Sequence, residues 1–126
     1  MIELNLENCS AYVKLYIGKE DLFFGPGHAH FLALIHEHGS IQKACKSMKM
    51  SYSKGWTMLN NLEEKVGFKI IDRSTGGNGG GSSHLTKDGL ELLVTYQKMK
   101  ADLEVYNQQL NEKHLKTLSF KEDSNE

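Results

Sequence analysis

At 126 residues, with 39% hydrophobic and 25% charged side chains, the chain has the size and composition of a single globular domain around one core. No apolar run approaches the roughly 18 to 20 residues of a membrane span, and Met1-Ile2-Glu3-Leu4-Asn5 lacks a basic secretory start, so a cytoplasmic protein with no membrane partner is expected. The formal net charge of -1 argues against a uniformly basic polynucleotide binder, but Lys43, Lys46, Lys49, Lys54, Lys65, Lys69 and Arg73 face only Glu63, Glu64 and Asp72 over residues 40–73.

Alternation of apolar and polar residues at Ile2, Leu4, Leu6 and at Val13, Leu15, Ile17 predicts strands, with Gly18-Lys19-Glu20-Asp21 as a turn and Leu22-Phe23-Phe24 as the returning arm of a hairpin. Pro26 suits the first turn of a helix carrying Phe31, Leu32, Leu34 and Ile35 inward, and Gly39 suits its left-handed cap. Ser40 caps a short second helix with Ile41, Ala44, Cys45 and Met48 toward the core. Ser51 caps a third through Val66, where Trp56, Leu59, Leu62 and Val66 form a buried stripe and Gly67 a stop.

Phe68-Lys69-Ile70-Ile71 then reads as a strand, residues 73–83 as a glycine-rich loop and His84-Leu85-Thr86 as a return strand, together a wing. Thr86 caps a long fourth helix, on which Leu92, Tyr96, Met99, Leu103, Tyr106 and Leu110 follow at the three-four spacing of a coiled-coil seam. The expected fold is therefore mostly α with small β: a winged helix-turn-helix with an N-terminal β-hairpin, a Gly-rich wing and a long C-terminal dimerisation helix. It occupies residues 1–113 as one domain, and 114–126 form a polar, disordered tail.

A helix of about 10 to 12 Å diameter fits the major groove of B-DNA, and its amino end presents unpaired N–H groups and partial positive charge. The candidate DNA-binding residues are Ser40, Lys43 and Lys49 on the second helix and turn, Ser51, Tyr52, Ser53 and Lys54 at the start of the third, and Arg73, Ser74, Thr75 and Asn78 in the wing. Ser51 and Tyr52 have plainer roles open to them, as a cap and as a packing residue. The expected partners are double-stranded DNA and a second copy of the chain, paired through Leu92, Tyr96, Met99, Leu103, Tyr106 and Leu110. The alternative is a protein-interaction module that keeps the fold and pairs with another regulator without binding DNA.

Other chemistry has less support. The run Gly76-Gly77-Asn78-Gly79-Gly80-Gly81 lacks the following Lys and Ser or Thr of a phosphate loop. His28, His30, His36 and His38 include no pair at the spacing of two ligands on one helix face, so no metal site is expected. Cys9 and Cys45, without a C-x-x-C spacing, read as free thiols. No catalytic motif can be picked out, so neither enzymatic activity nor a cofactor is expected.

Gly25-Pro26-Gly27, Gly39-Ser40-Ile41, Met50-Ser51-Tyr52, Trp56, and the wing from Arg73-Ser74-Thr75-Gly76-Gly77 to Leu85-Thr86 together resemble the N-terminal domain of the ModE-type molybdate-responsive regulators, relatives of the LysR-type DNA-binding domain. The resemblance covers residues 12–109. It implies a winged helix-turn-helix that dimerises on the helix after the wing and binds a palindromic operator. Full-length members carry two further domains that bind molybdate, which have no counterpart before Glu126, so molybdate is not an expected ligand of these residues.

Overall fold

A computed structural model describes residues 6, 8–73 and 82–118. The strand expected at Ile2 and Leu4, the glycine run 76–81 and the last part of the tail lie outside these residues. The chain divides into two compact units, Lys14–Lys98 and Met1–Val13 with Met99–Glu126. The elements are β1 (Ile17–Gly18), β2 (Leu22–Phe24), α1 (Pro26–His38), α2 (Ile41–Ser47), α3 (Tyr52–Val66), β3 (Ile71–Asp72), β4 (His84–Leu85) and α4 (Lys87–Leu110). Two antiparallel hairpins, β1-β2 and β3-β4, stand among four helices, which is the winged helix-turn-helix architecture.

In the unit Lys14–Lys98 the core is formed by Phe24, Phe31, Leu32, Ile35, Ile41, Leu59, Leu62, Ile70, Leu93 and Tyr96, all nearly or fully buried. The ends of α1, α2 and α3 follow local chemistry. Gly39 (φ 66°) and Gly67 (φ 82°) take left-handed caps on α1 and α3, donating to the Ile35 and Glu63 carbonyls. Ser40 and Ser51 accept the Lys43 and Lys54 N–H groups at 3.1 and 3.0 Å, each capping the helix that follows. His28, in the first turn of α1, accepts the Gly25 N–H on Nδ1 and stacks on Phe24, and burial pushes its pKa down.

The strands are shorter than alternation predicts. Over Val13 to Ile17 only Ile17 joins a ladder; the Leu15 carbonyl accepts instead from the Tyr96 hydroxyl at 2.8 Å. Over Phe68 to Ile71 only Ile71 is paired in the ladder, and the Ile70 and Ile71 N–H groups both donate to the Glu63 carboxylate. Thr86 closes the second hairpin: its N–H donates to the Ile70 carbonyl, its hydroxyl donates to the Lys69 carbonyl, and the same oxygen accepts the Gly89 N–H.

In the other unit, residues 99–110 of α4 pass into a π-helical turn, Asn111–Leu115. The buried Asn111 amide grips Ala11 at two points, Oδ1 accepting its N–H at 2.6 Å and Nδ2 donating to its carbonyl at 3.1 Å, and Asn107 donates to that carbonyl as well. Asn111 Nδ2 also donates to the Asn107 carbonyl, a side-chain insertion of the kind that distorts a helical ladder.

Periodicity places Trp56 in the core, yet Trp56 is half-buried and the buried position on that turn is Gly55. Glycine is needed there because α2 and α3 meet closely: a methyl on Gly55 would fall on Cys45 Sγ and lie 3.0 Å from the Phe31 ring. Gly55→Ala is therefore expected to destabilise the fold by about 1 kcal/mol, overpacking exceeding the gain in helix propensity. Urea titration should show a smaller loss from Gly55→Ala in a Cys45→Ala background; equal losses in the two backgrounds would refute the Cys45 contact as the cause.

Candidate nucleic-acid interface

The amino end of α3 points into solvent. Tyr52 is 53% exposed, Ser51, Ser53 and Lys54 are exposed, and the first turn holds no acidic residue that would neutralise the helix's partial positive charge. Lys43 and Lys46 on α2, Lys49 in the turn and Lys54 are likewise exposed, and among the described residues none of the four has an ion-pair partner. The next three cations along the chain, Lys65, Lys69 and Arg73, differ. Lys65 pairs with Asp21 at 3.1 Å, Lys69 lies 3.9 Å from Glu63, and Arg73 pairs with Glu63 at 2.9 Å. Unpaired positive charge thus gathers around the start of α3.

Beside it lies a cleft of about 280 Å³ between the first turn of α2, the start of α3 and the base of the wing, walled by Gln42, Tyr52, Trp56, Asp72, Arg73 and Ser83. Trp56 forms its back. Tyr52 meets the indole edge-on at 6.4 Å, and the Arg73 guanidinium lies over it at 5.0 Å. The return arm of the wing is tied down by the Ser83 N–H, which donates to the Gly39 carbonyl at 2.7 Å.

Glu63 holds the other arm. Its carboxylate, on the inner face of α3, accepts the Ile70 N–H at 2.7 Å, the Ile71 N–H at 3.1 Å and Arg73 Nη1 at 2.9 Å, while Arg73 Nη2 donates to Asn60 Oδ1. Burial by itself would raise the Glu63 pKa; the Arg73 bond and charge and the two backbone N–H bonds outweigh it and hold the carboxyl below its ordinary range.

The structure brings Lys43, Lys49, Ser51, Tyr52, Ser53 and Lys54 to the exposed surface of the helix-turn-helix. Two expected contacts have other employment. Ser40 is buried with its hydroxyl engaged as the α2 cap, and the Arg73 guanidinium is bound to Glu63 and Asn60 and stacked on Trp56. Ser74, Thr75 and Asn78 lie outside the described residues. On α4, Tyr96 departs from the expected seam: it is buried against Phe24 with its hydroxyl on Leu15, because the first part of α4 packs on its own unit. Leu92 and Leu103 are half-buried, while Met99, Tyr106 and Leu110 are 44%, 60% and 37% exposed. Glu63 and Asn60 were not among the expected residues. The signal for Glu63 was present, an acid one helical turn beyond Leu59 on the apolar stripe.

This constellation defines a regulatory helix-turn-helix protein, and sequence comparison agrees: residues 27–90 match the bacterial regulatory helix-turn-helix proteins of the LysR family. The chain belongs to that family. It is 33% identical over 78 residues to the transcriptional regulator ModE of Yersinia pestis and 32% identical over 78 residues to the DNA-binding transcriptional dual regulator ModE of Escherichia coli, in each case 62% of this chain and 30% of the relative. It is also 31% identical over 91 residues to the molybdenum transport protein ModE of Herbaspirillum seropedicae, 72% of this chain and 32% of that protein. The matches thus span about a third of these relatives' length. No helix among the described residues is long and apolar enough to cross a membrane.

Glu63→Ala leaves two backbone N–H groups and a guanidinium without their acceptor, and is expected to cost about 3 kcal/mol at pH 7. Because the folded-state pKa lies below the ordinary value of 4.5, this contribution is complete above that value and is lost as pH falls through the folded-state pKa. Urea midpoints of wild type and Glu63→Ala should differ by a constant amount from pH 7 to about 5.5 and converge in more acidic solution. A gap that stays open in acid would show that the carboxylate is not its source.

Proposed function

We propose that the chain binds double-stranded DNA sequence-specifically as a homodimer, with α3 of each copy in a major groove. The observation that carries this is the set of exposed lysines, Lys43, Lys46, Lys49 and Lys54, unpaired among the described residues, beside an α3 amino end bearing Tyr52 and Ser53. Lysines without internal partners can neutralise phosphates and release the counterions condensed on the duplex, whereas cations already paired, such as Arg73, have less charge to offer. Lys54 and Tyr52 are assigned to base edges and neighbouring phosphates, Lys43 and Ser53 to backbone, and Ser51 to holding the helix start. Ser74, Thr75 and Asn78 are assigned to the backbone or minor-groove contact of the wing, whose base Arg73 positions through Glu63.

Dimerisation is assigned to the part of the α4 stripe left uncovered within its own unit, Met99, Leu103, Tyr106 and Leu110, continued by the half-buried Leu92. Paired α4 helices would present two α3 helices to half-sites about 34 to 36 Å apart.

Binding to duplexes selected from a random pool, followed by anisotropy against salt, tests the interface. Affinity should fall steeply with salt, and Lys54→Ala should cost about 1 to 3 kcal/mol on the selected site. No binding, or binding indifferent to salt, would leave a protein-interaction module as the function. In sedimentation, the wild type should run as a dimer and Met99→Glu/Tyr106→Glu as a monomer, with at least about tenfold weaker binding to a two-half-site duplex. A wild type that remains monomeric at all concentrations would remove the homodimer.

A further inference from the structure

We propose that Lys49 grips a DNA phosphate in the manner of a fixed anchor, and that its ammonium group is the reason a lysine occupies a backbone position suited to glycine. The assignment presupposes the DNA interface proposed above and deepens it.

Lys49 is the one residue other than glycine with positive φ among the described residues, at 57°. The remaining left-handed positions described, Gly39 and Gly67, are both helix caps, and both hold glycine. A Cβ crowds the backbone in the left-handed region, and among side chains asparagine and aspartate tolerate it best, not lysine. Geometry alone therefore does not account for Lys49. Nor does an internal contact: the side chain is exposed and has neither an ion pair nor a hydrogen bond among the described residues. The Lys49 N–H donates to Lys46 and the Met50 N–H to Cys45, bonds any residue at 49 would allow.

What lysine brings that glycine and asparagine do not is a positive charge, and its place gives that charge a use. The turn between α2 and α3 lies next to the exposed start of α3, so a cation there meets the phosphates flanking the groove that α3 enters. A tight turn with bonded N–H groups also fixes the stem of the side chain, as an anchor requires. Such a contact adds affinity without reading sequence.

The test compares Lys49→Gly, Lys49→Asn and Lys49→Arg with the wild type in thermal stability and in anisotropy on a selected duplex and an unrelated one. Lys49→Gly and Lys49→Asn should keep or raise Tm, by up to about 5 °C. Both should bind the two duplexes about three- to tenfold more weakly, by the same factor on each, with the slope of log K against log salt reduced by about one. Lys49→Arg should bind like wild type with no gain in Tm. Wild-type affinity and slope in Lys49→Gly, in a protein that binds DNA, would overturn the anchor alone, as would a loss confined to the selected duplex, which would make Lys49 a base contact. A fall in Tm for both Lys49→Gly and Lys49→Asn would overturn the backbone half of the proposal. A wild type that binds neither duplex would overturn the interface and the anchor together.

Discussion

A carboxylate on the buried face of a helix has to find donors, and Glu63 finds them in the segment that begins the wing. Three donors converge on it: two consecutive backbone N–H groups and the Arg73 guanidinium. The same three bonds lower its pKa against the effect of burial, so the group stays ionised at neutral pH and continues to attract them. The separation between α3 and the first arm of the wing is thus fixed by hydrogen bonds rather than by apolar contact alone, and the short β3-β4 ladder gains a rigid base. The return arm is held independently, by Ser83 on the carbonyl of Gly39. With both arms secured to the helices, the cleft beside Trp56 keeps its walls.

Charge follows a matching division. Toward the far end of α3 the cations are consumed internally, Lys65 by Asp21 and Arg73 by Glu63. Around its start the lysines have no acid to answer them among the described residues, and the first turn of the helix adds its own partial charge in the same sense. A chain with a net charge of -1 can in this way carry a cationic face, since the internally paired cations hold the wing and the unpaired ones remain for a polyanion. Lys49 fits the same division, a charge kept where the backbone prefers no side chain.

The two halves of α4 answer to different constraints. Its first part serves the core of its own unit, where Leu93 and Tyr96 are buried and Gly89 lets the helix start close against Ile70. Its second part bears Met99, Tyr106 and Leu110 exposed on one stripe. One heptad spacing therefore runs from a buried stretch into an exposed one, and the spacing gives no sign of where one passes into the other.

The starts of α2, α3 and α4 and the ends of α1 and α3 were legible in the residues, because a cap is a local event: Ser40, Ser51, Thr86, Gly39 and Gly67 act on groups three or four residues along the same backbone, and the chain order fixes those partners. What sequence left open was every choice among distant partners. Whether Tyr96 faces its own core or another copy, whether Arg73 reaches outward or back to Glu63, and why Gly55 rather than Trp56 faces α2 depend on which surfaces meet when the helices pack. Periodicity marks an apolar face but carries no record of its partner, and a glycine at a close crossing leaves no apolar signal at all. Those decisions belonged to the tertiary structure, since the energy of a buried side chain is set by the neighbours that enclose it.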